Sequence, residues 1–250
     1  MMLFRDLPRA LFLLGNQLLP TQCLLCGCTL RGQLLCEGCL FDLPWIHTHP
    51  YRCQHCALAL PTAADICGHC LKQPPAFSRS YILFAYRHPL NRLIHRFKYR
   101  RKLMSGKLLG QVFAQFIVDC AHSEPDWQQP DLLISTPMHW LRRWQRGFNH
   151  TDVLSQYLAE ATNIPLYNNI IKRQKRAPAQ KELTRRERQK NLRNAFQLIP
   201  GSLALIKDRR IAIVDDVVTT TATMRELSKI LITAGAKEVQ VWALARTMDD

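Results

Sequence analysis

Residues 211–224 read IAIVDDVVTTTATM. The apolar run at its start predicts a buried strand that ends in Asp215–Asp216. A hydroxyl-rich loop follows, and the spacing then predicts a helix over Ala222–Ala234, closed by Gly235. Thr219, Thr220, Thr221 and Thr223 offer hydroxyls, and the backbone N–H groups around Ala222 point into the loop. Together with the helix dipole they form an anion site. The adjacent carboxylates are suited to accept from ribose hydroxyls, directly or through Mg2+. The pattern therefore fits a sugar phosphate better than a solvated helix cap.

Outward from this segment, apolar strands alternate with helices. Tyr81–Tyr86 and Leu132–Thr136 read as strands, Leu166–Ile171 is strand-like, and Val239–Ala245 is a final strand. Leu90–Tyr99, Lys107–Cys120 and Thr151–Ala161 have helical spacing. Such alternation over residues 80–250 predicts an α/β domain with a mainly parallel sheet, whose ligands bind at the carboxyl ends of the strands. The Pro-rich break Lys72–Ala76 marks its boundary with what precedes it.

Nine of the ten cysteines lie between Cys23 and Cys70. Eight form four CxxC pairs: Cys23/Cys26, Cys36/Cys39, Cys53/Cys56 and Cys67/Cys70. Each pair curls two sulfurs toward one point, and two pairs complete a tetrahedron. This predicts two compact four-cysteine zinc sites over residues 21–72. With all four ligands from protein, the zinc is structural. Redox chemistry and an iron–sulfur cluster are the competing uses of such pairs. Cys28 reads as a spare thiol, and His55 and His69 as substitute ligands. The segment has few large apolar residues, so metal supplies much of its folding free energy.

Residues 1–20 predict an amphipathic helix. The apolar run Ala10–Leu14 is short and no small-x-small cleavage site follows it, so the reading is a cytoplasmic chain with reduced thiols. No apolar run reaches the roughly 18–20 residues of a membrane span. Thirty-four Lys+Arg against 19 Asp+Glu give a net charge of +15, which points to anionic partners. Lys172–Arg193 and Arg79–Lys107 concentrate that charge. With Tyr86, Phe97, Tyr99, Trp140 and Trp144 nearby in sequence, single-stranded nucleic acid is a candidate partner, set against the plainer reading of a solvated helix face over core aromatics.

The loop resembles that of the type I phosphoribosyltransferases, V-D-D-V-x-T-T-G-x-T, with Thr221 at the family's glycine. The resemblance implies that Asp215 and Asp216 face a ribose diol. It also implies that Thr219, Thr220, Thr221, Ala222 and Thr223 cradle the 5′-phosphate of 5-phosphoribosyl-1-pyrophosphate (PRPP). A β-branched residue at a glycine position predicts strain or a reshaped loop.

Three further segments extend the match: the CxxC block, Arg146–Asn149 (RGFN), and a stretch carrying Gln180, Leu183, Arg188, Asn191, Ala195 and Phe196. In this order they resemble the ComF/GntX family, whose members are linked to DNA uptake for transformation and to use of external DNA as a nutrient. The implied fold is a type I phosphoribosyltransferase-like sheet with helices on both faces, preceded by a double zinc ribbon. Arg143 and Arg146 are placed to meet the pyrophosphate, Phe148 to join the core, and Asn149 to cap a helix. Lys172–Arg193 is placed to serve as a mobile closing loop.

Two readings follow. In one, the protein binds PRPP and Mg2+ and acts in DNA uptake or utilisation, alongside DNA-uptake machinery proteins. Turnover would then be attack on the anomeric carbon as pyrophosphate leaves. In the other, it is a non-enzymatic adaptor for single-stranded DNA with a vestigial sugar-phosphate pocket. The intact aspartate pair favours the first, the missing glycine the second.

Overall fold

The computed structural model describes residues 20–46, 49–100, 103–174 and 195–248. The helix expected over residues 1–20 lies outside them but for Pro20, as does most of Lys172–Arg193, with Gln180, Leu183, Arg188 and Asn191.

The sheet has four parallel strands: β3 (Arg79–Ala85), β4 (Leu132–Ser135), β7 (Arg210–Val218) and β8 (Glu238–Arg246). Their order is β3-β8-β7-β4. Parallel strands need covering on both faces, and the side-chain alternation divides accordingly. Ala212, Val214, Trp242 and Leu244 face one core, with α3 (Leu90–Arg100), α4 (Leu103–Ser123) and α6 (His150–Thr162). Ile211, Ile213, Val241 and Ala243 face the other. Against that face lie α8 (Ala222–Thr233), the short α7 (Leu203–Ile206), and the hairpin of β5 (Ile171–Arg173) and β6 (Phe196–Leu198).

Two expectations change. β7 runs past the aspartates to Val218, because Val217 and Val218 keep the register with Ala245 and Arg246. Leu166–Ile171 is not a strand: only Leu166 bridges to Leu133, and β5 begins at Ile171.

The cysteine-rich segment is two similar units. The first holds the hairpin β1 (Pro20–Gln22) and β2 (Thr29–Arg31), then α1 (Glu37–Phe41). The second holds an Arg52–Ala59 bridge and α2 (Gly68–Lys72). Their knuckles match bond for bond. Cys23 N donates to Cys28 O as Cys53 N does to Leu58 O, both at 2.9 Å. Gly27 (φ 82°) is matched by Ala57 (φ 56°), so the left-handed turn survives the loss of glycine.

The two units do not share a core. Cys23, Leu35 and Leu43 join the α3/α4/α6 side, whereas Cys53, Cys67, Cys70 and Phe77 join the α8 side. Between them the chain crosses the edge strand β3. There Trp45 bridges Phe84, and Ala85 N donates to Pro44 O at 2.8 Å. The cysteine-rich units therefore cover an edge that would otherwise be open for pairing.

Helix α4 meets α3 at Gly106, where a Cβ would come within 2.5 Å of the ring of Phe97. Phe97 is fully buried against Phe148 and the edge of His150, so the ring has nowhere to go. Gly106→Ala should destabilise the domain by about 1–3 kcal/mol of overpacking, despite a helix-propensity gain of about 1 kcal/mol. Urea unfolding of the two proteins reads the sign.

Candidate sugar-phosphate site and metal centres

Because adjacent strand residues point to opposite faces, Asp215 and Asp216 cannot both turn to one ligand from a regular strand. Asp216 falls on the α3/α6 side and is buried, at 6 % exposure. Its Oδ2 contacts Lys98 Nζ of α3 and lies 2.8 Å from His150 Nε2, the first residue of α6. Its Oδ1 accepts from Val217 N at 2.6 Å. Burial opposes ionisation of Asp216, but the His150 hydrogen bond and the Lys98 charge outweigh it and hold the carboxyl well below the usual range. Asp215 is half-buried on the other face, and its Oδ1 accepts from Asp216 N at 2.8 Å. Burial, then the neighbouring Asp216 charge, push it up to about 8. Asp216 is thus an internal anchor, whereas Asp215 is half-buried on the opposite face of the sheet.

The anchor reaches the RGFN segment. Arg143 and Arg146, expected to meet a pyrophosphate, sit on a short helix, α5 (Trp140–Arg146). Arg146 Nη1 is 3.5 Å from His150 Nδ1. If Arg146 donates, His150 carries its proton on Nε2 and faces Asp216 as a donor, which joins Arg146, His150, Asp216 and Lys98 in one polar chain. Arg143 is exposed on α5. Gly147 ends α5 in the left-handed region at φ 80°. Asn149 caps α6, accepting from Thr151 N at 3.4 Å, as expected. Phe148 is partly buried and packs on the core. Lys98 and His150 carried no motif: a lysine in a basic helix and a histidine after a cap look like solvated residues until the fold brings them to Asp216.

Beyond β7, Thr219 is exposed, Thr220, Ala222 and Thr223 are half-buried, and Thr221 is buried. Thr221 holds φ 59°, ψ −3° at the N-cap of α8. Of the two outcomes expected at this position, the strained one is found: a residue with a Cβ holds the left-handed conformation, at a cost on the order of 1–2 kcal/mol. Thr221 makes no side-chain cap bond, so the helix N-terminus keeps its amide donors for an anion. Its hydroxyl is otherwise engaged, donating to Thr220 O at 2.6 Å and accepting from Arg225 Nε at 3.2 Å.

The second cysteine group fits zinc. The sulfurs of Cys53, Cys56, Cys67 and Cys70 lie within 4.8 Å of one another, all buried. The Cys56 hydrogen bond holds Cys53 down to about 4; the same bond pushes Cys56 up, and burial pushes Cys70 up to about 12. Four crowded thiols ionise together only around a cation, which Zn2+ supplies. Neither His55 nor His69 belongs to the group; His55 Nδ1 bonds Ser78 O instead, at 2.8 Å.

The first group is Cys23, Cys26, Cys28 and Cys36. Cys28, expected as a spare, stands inside it, and Cys39, expected as the fourth ligand, does not. Yet Cys39 N donates to Cys36 Sγ at 3.4 Å, as Cys70 N does to Cys67 Sγ, and Leu58 holds the place of Cys28 in the second unit.

Residues 14–71 match the double zinc ribbon domain. Competence protein F of Haemophilus influenzae is 39% identical over 216 residues, 85% of this chain and 90% of that protein. The chain belongs to the ComF/GntX family. DNA utilization protein YhgH of Escherichia coli K12 is 34% identical over 90% of each chain. Competence protein ComFC of Streptococcus pneumoniae is 27% identical over 90% of this chain and 100% of that one. Among solved structures, a hypoxanthine phosphoribosyltransferase from Staphylococcus aureus superposes on 56% of this chain and 64% of its own, with TM-score 0.37 and 12% identity.

The two aspartates should answer differently to neutralisation. Asp215 holds a proton in the folded state that the unfolded chain releases, so it lowers stability as pH rises from about 4 to about 8. Asp215→Asn should flatten that fall in melting temperature. Asp216→Asn leaves Lys98 facing no charge and should cost about 3–5 kcal/mol at neutral pH; equal effects would contradict the anchor assignment. For the first metal centre, the repeat predicts two zincs per chain in Cys28→Ser and one in Cys39→Ser, read by elemental analysis.

Proposed function

We propose that this ComF/GntX protein binds PRPP with Mg2+ at Asp215–Thr223 and acts in DNA uptake or in the use of external DNA as a nutrient, as the names of its relatives suggest. The observations that carry the reading are the half-buried Asp215 carboxyl on β7, three residues before the strand ends, and the uncapped start of α8 that follows it in the chain. The helix start suits the 5′-phosphate. Asp215 suits the ribose hydroxyls, directly or through Mg2+, and a cation there offsets the cost of ionising it. Asp216 acts behind it, fixing Lys98 and His150. Arg143, exposed on α5, and Arg146 remain the candidates for the pyrophosphate. Transfer of the phosphoribosyl group would proceed by attack on the anomeric carbon as pyrophosphate leaves, with the arginines stabilising the charge that departs.

A second reading has its own observation. Trp140 and Trp144 are 65% and 79% exposed on α5, beside Arg143. Two aromatic faces next to a guanidinium suit single-stranded DNA. Phe97, by contrast, is buried and is not part of any stacking surface. No helix among the described residues is long and apolar enough to cross a membrane. A cytoplasmic site of action is part of the proposal, because reduced thiols are what the metal centres require.

Thermal denaturation with PRPP and Mg2+ tests the first reading. The melting temperature should rise with ligand concentration and the rise should vanish in Asp215→Ala. A wild-type protein that shows no shift at millimolar PRPP sinks it.

A further inference from the structure

We propose that Arg225 is a positioning residue that carries the geometry of the second four-cysteine centre into the phosphate loop. The inference rests on the reading of Asp215–Thr223 as that loop, and extends it to a residue and a metal centre that the reading does not use.

Arg225 stands one turn into α8, four residues after Thr221. Its guanidinium reaches three acceptors in three places. Nε donates to Thr221 Oγ1 at 3.2 Å, Nη1 to Gln73 O at 2.6 Å, and Nη2 to Cys70 Sγ at 3.5 Å. Only a planar fork with several fixed donors makes three divergent bonds at once; an ammonium on a flexible stem does not.

Each end of this bridge explains the other. Zn2+ held by four thiolates carries a net charge of −2, and two guanidiniums stand by to balance it. Arg225 touches Cys70. Arg246, at the end of β8, is buried with Nε and Nη1 unpartnered, and its charge acts on Cys56. A buried guanidinium without a partner is costly, and a metal tetrathiolate is the anion that stabilises it. At the other end, Thr221 occupies a conformation that disfavours a β-branched residue, and such strain persists where the surroundings over-determine it. The Arg225 bond and the Thr220 carbonyl fix its hydroxyl from two sides. A glycine at 221 would have no hydroxyl for Arg225 to hold. The threonine that departs from the phosphoribosyltransferase pattern is thus the attachment point of the bridge.

Amide hydrogen exchange on the full zinc-loaded chain tests this without needing a ligand. In Arg225→Lys, amides of residues 218–224 should exchange about fivefold to tenfold faster, the effect of losing one charge-assisted hydrogen bond. Peptides from β3 and β8 should be unchanged, and two zincs should remain. Thr221→Ala, which removes the acceptor from the other side, should give the same local acceleration, and the double variant should add nothing to either. Thr221→Ser, which keeps the hydroxyl, should restore wild-type exchange. Loop exchange that is unchanged in both Arg225→Lys and Thr221→Ala, or acceleration spread equally over the whole domain, overturns the proposal. PRPP titration of the same proteins separates the two claims. A wild type that does not bind PRPP defeats the ligand reading, while the exchange result still decides the role of Arg225.

Discussion

A carboxylate buried at the carboxyl end of a parallel sheet must be matched, and Asp216 is matched by Lys98 and His150. Everything at the candidate site hangs from that requirement. Lys98 brings the last turns of α3 to β7. His150 brings the first turn of α6, and behind it Arg146 and the left-handed turn at Gly147. Phe97 and Phe148 seal the apolar side of the same junction. An uncompensated charge there would cost several kcal/mol, so the three elements hold one arrangement. Asp215 and the start of α8 are presented from that fixed base.

The cysteine-rich segment is part of the same construction rather than an appendage. A unit of this size lacks the apolar surface to fold alone, and metal makes up the difference. Once formed, the two units lend their buried faces to two different cores and cover the free edge of β3. The sheet gains edge protection without an extra strand. Among the described residues it is the second unit that meets the loop side, through Arg225 and Arg246, which gives the two metal centres unequal parts.

Much of this was legible in the sequence because it is local. The strand–Asp-Asp–threonine–helix segment declares its fold by periodicity and its chemistry by residue type, and the CxxC pairs declare theirs by spacing. Non-local facts were not legible. Lys98, His150 and Arg225 look like solvated charges on helices, and only the tertiary contacts make them partners. That Asp215 and Asp216 divide between two faces follows from the strand continuing to Val218, where the sequence suggested a loop. Thr221 predicted strain or a reshaped loop; it sits in the left-handed region, the strained alternative, and is bonded by a residue four positions on. Whether Cys28 or Cys39 stands with Cys23, Cys26 and Cys36 depends on how the knuckle folds, which spacing does not encode.

A crystal structure of the zinc-loaded protein with PRPP and Mg2+ tests the division of labour between the two aspartates. The 5′-phosphate should lie on the amides of residues 219–223 and the ribose hydroxyls at Asp215, with Asp216 still bound to Lys98 and His150. Ligand lodged elsewhere, or Asp216 turned away from Lys98 to hold the ribose in place of Asp215, would contradict it.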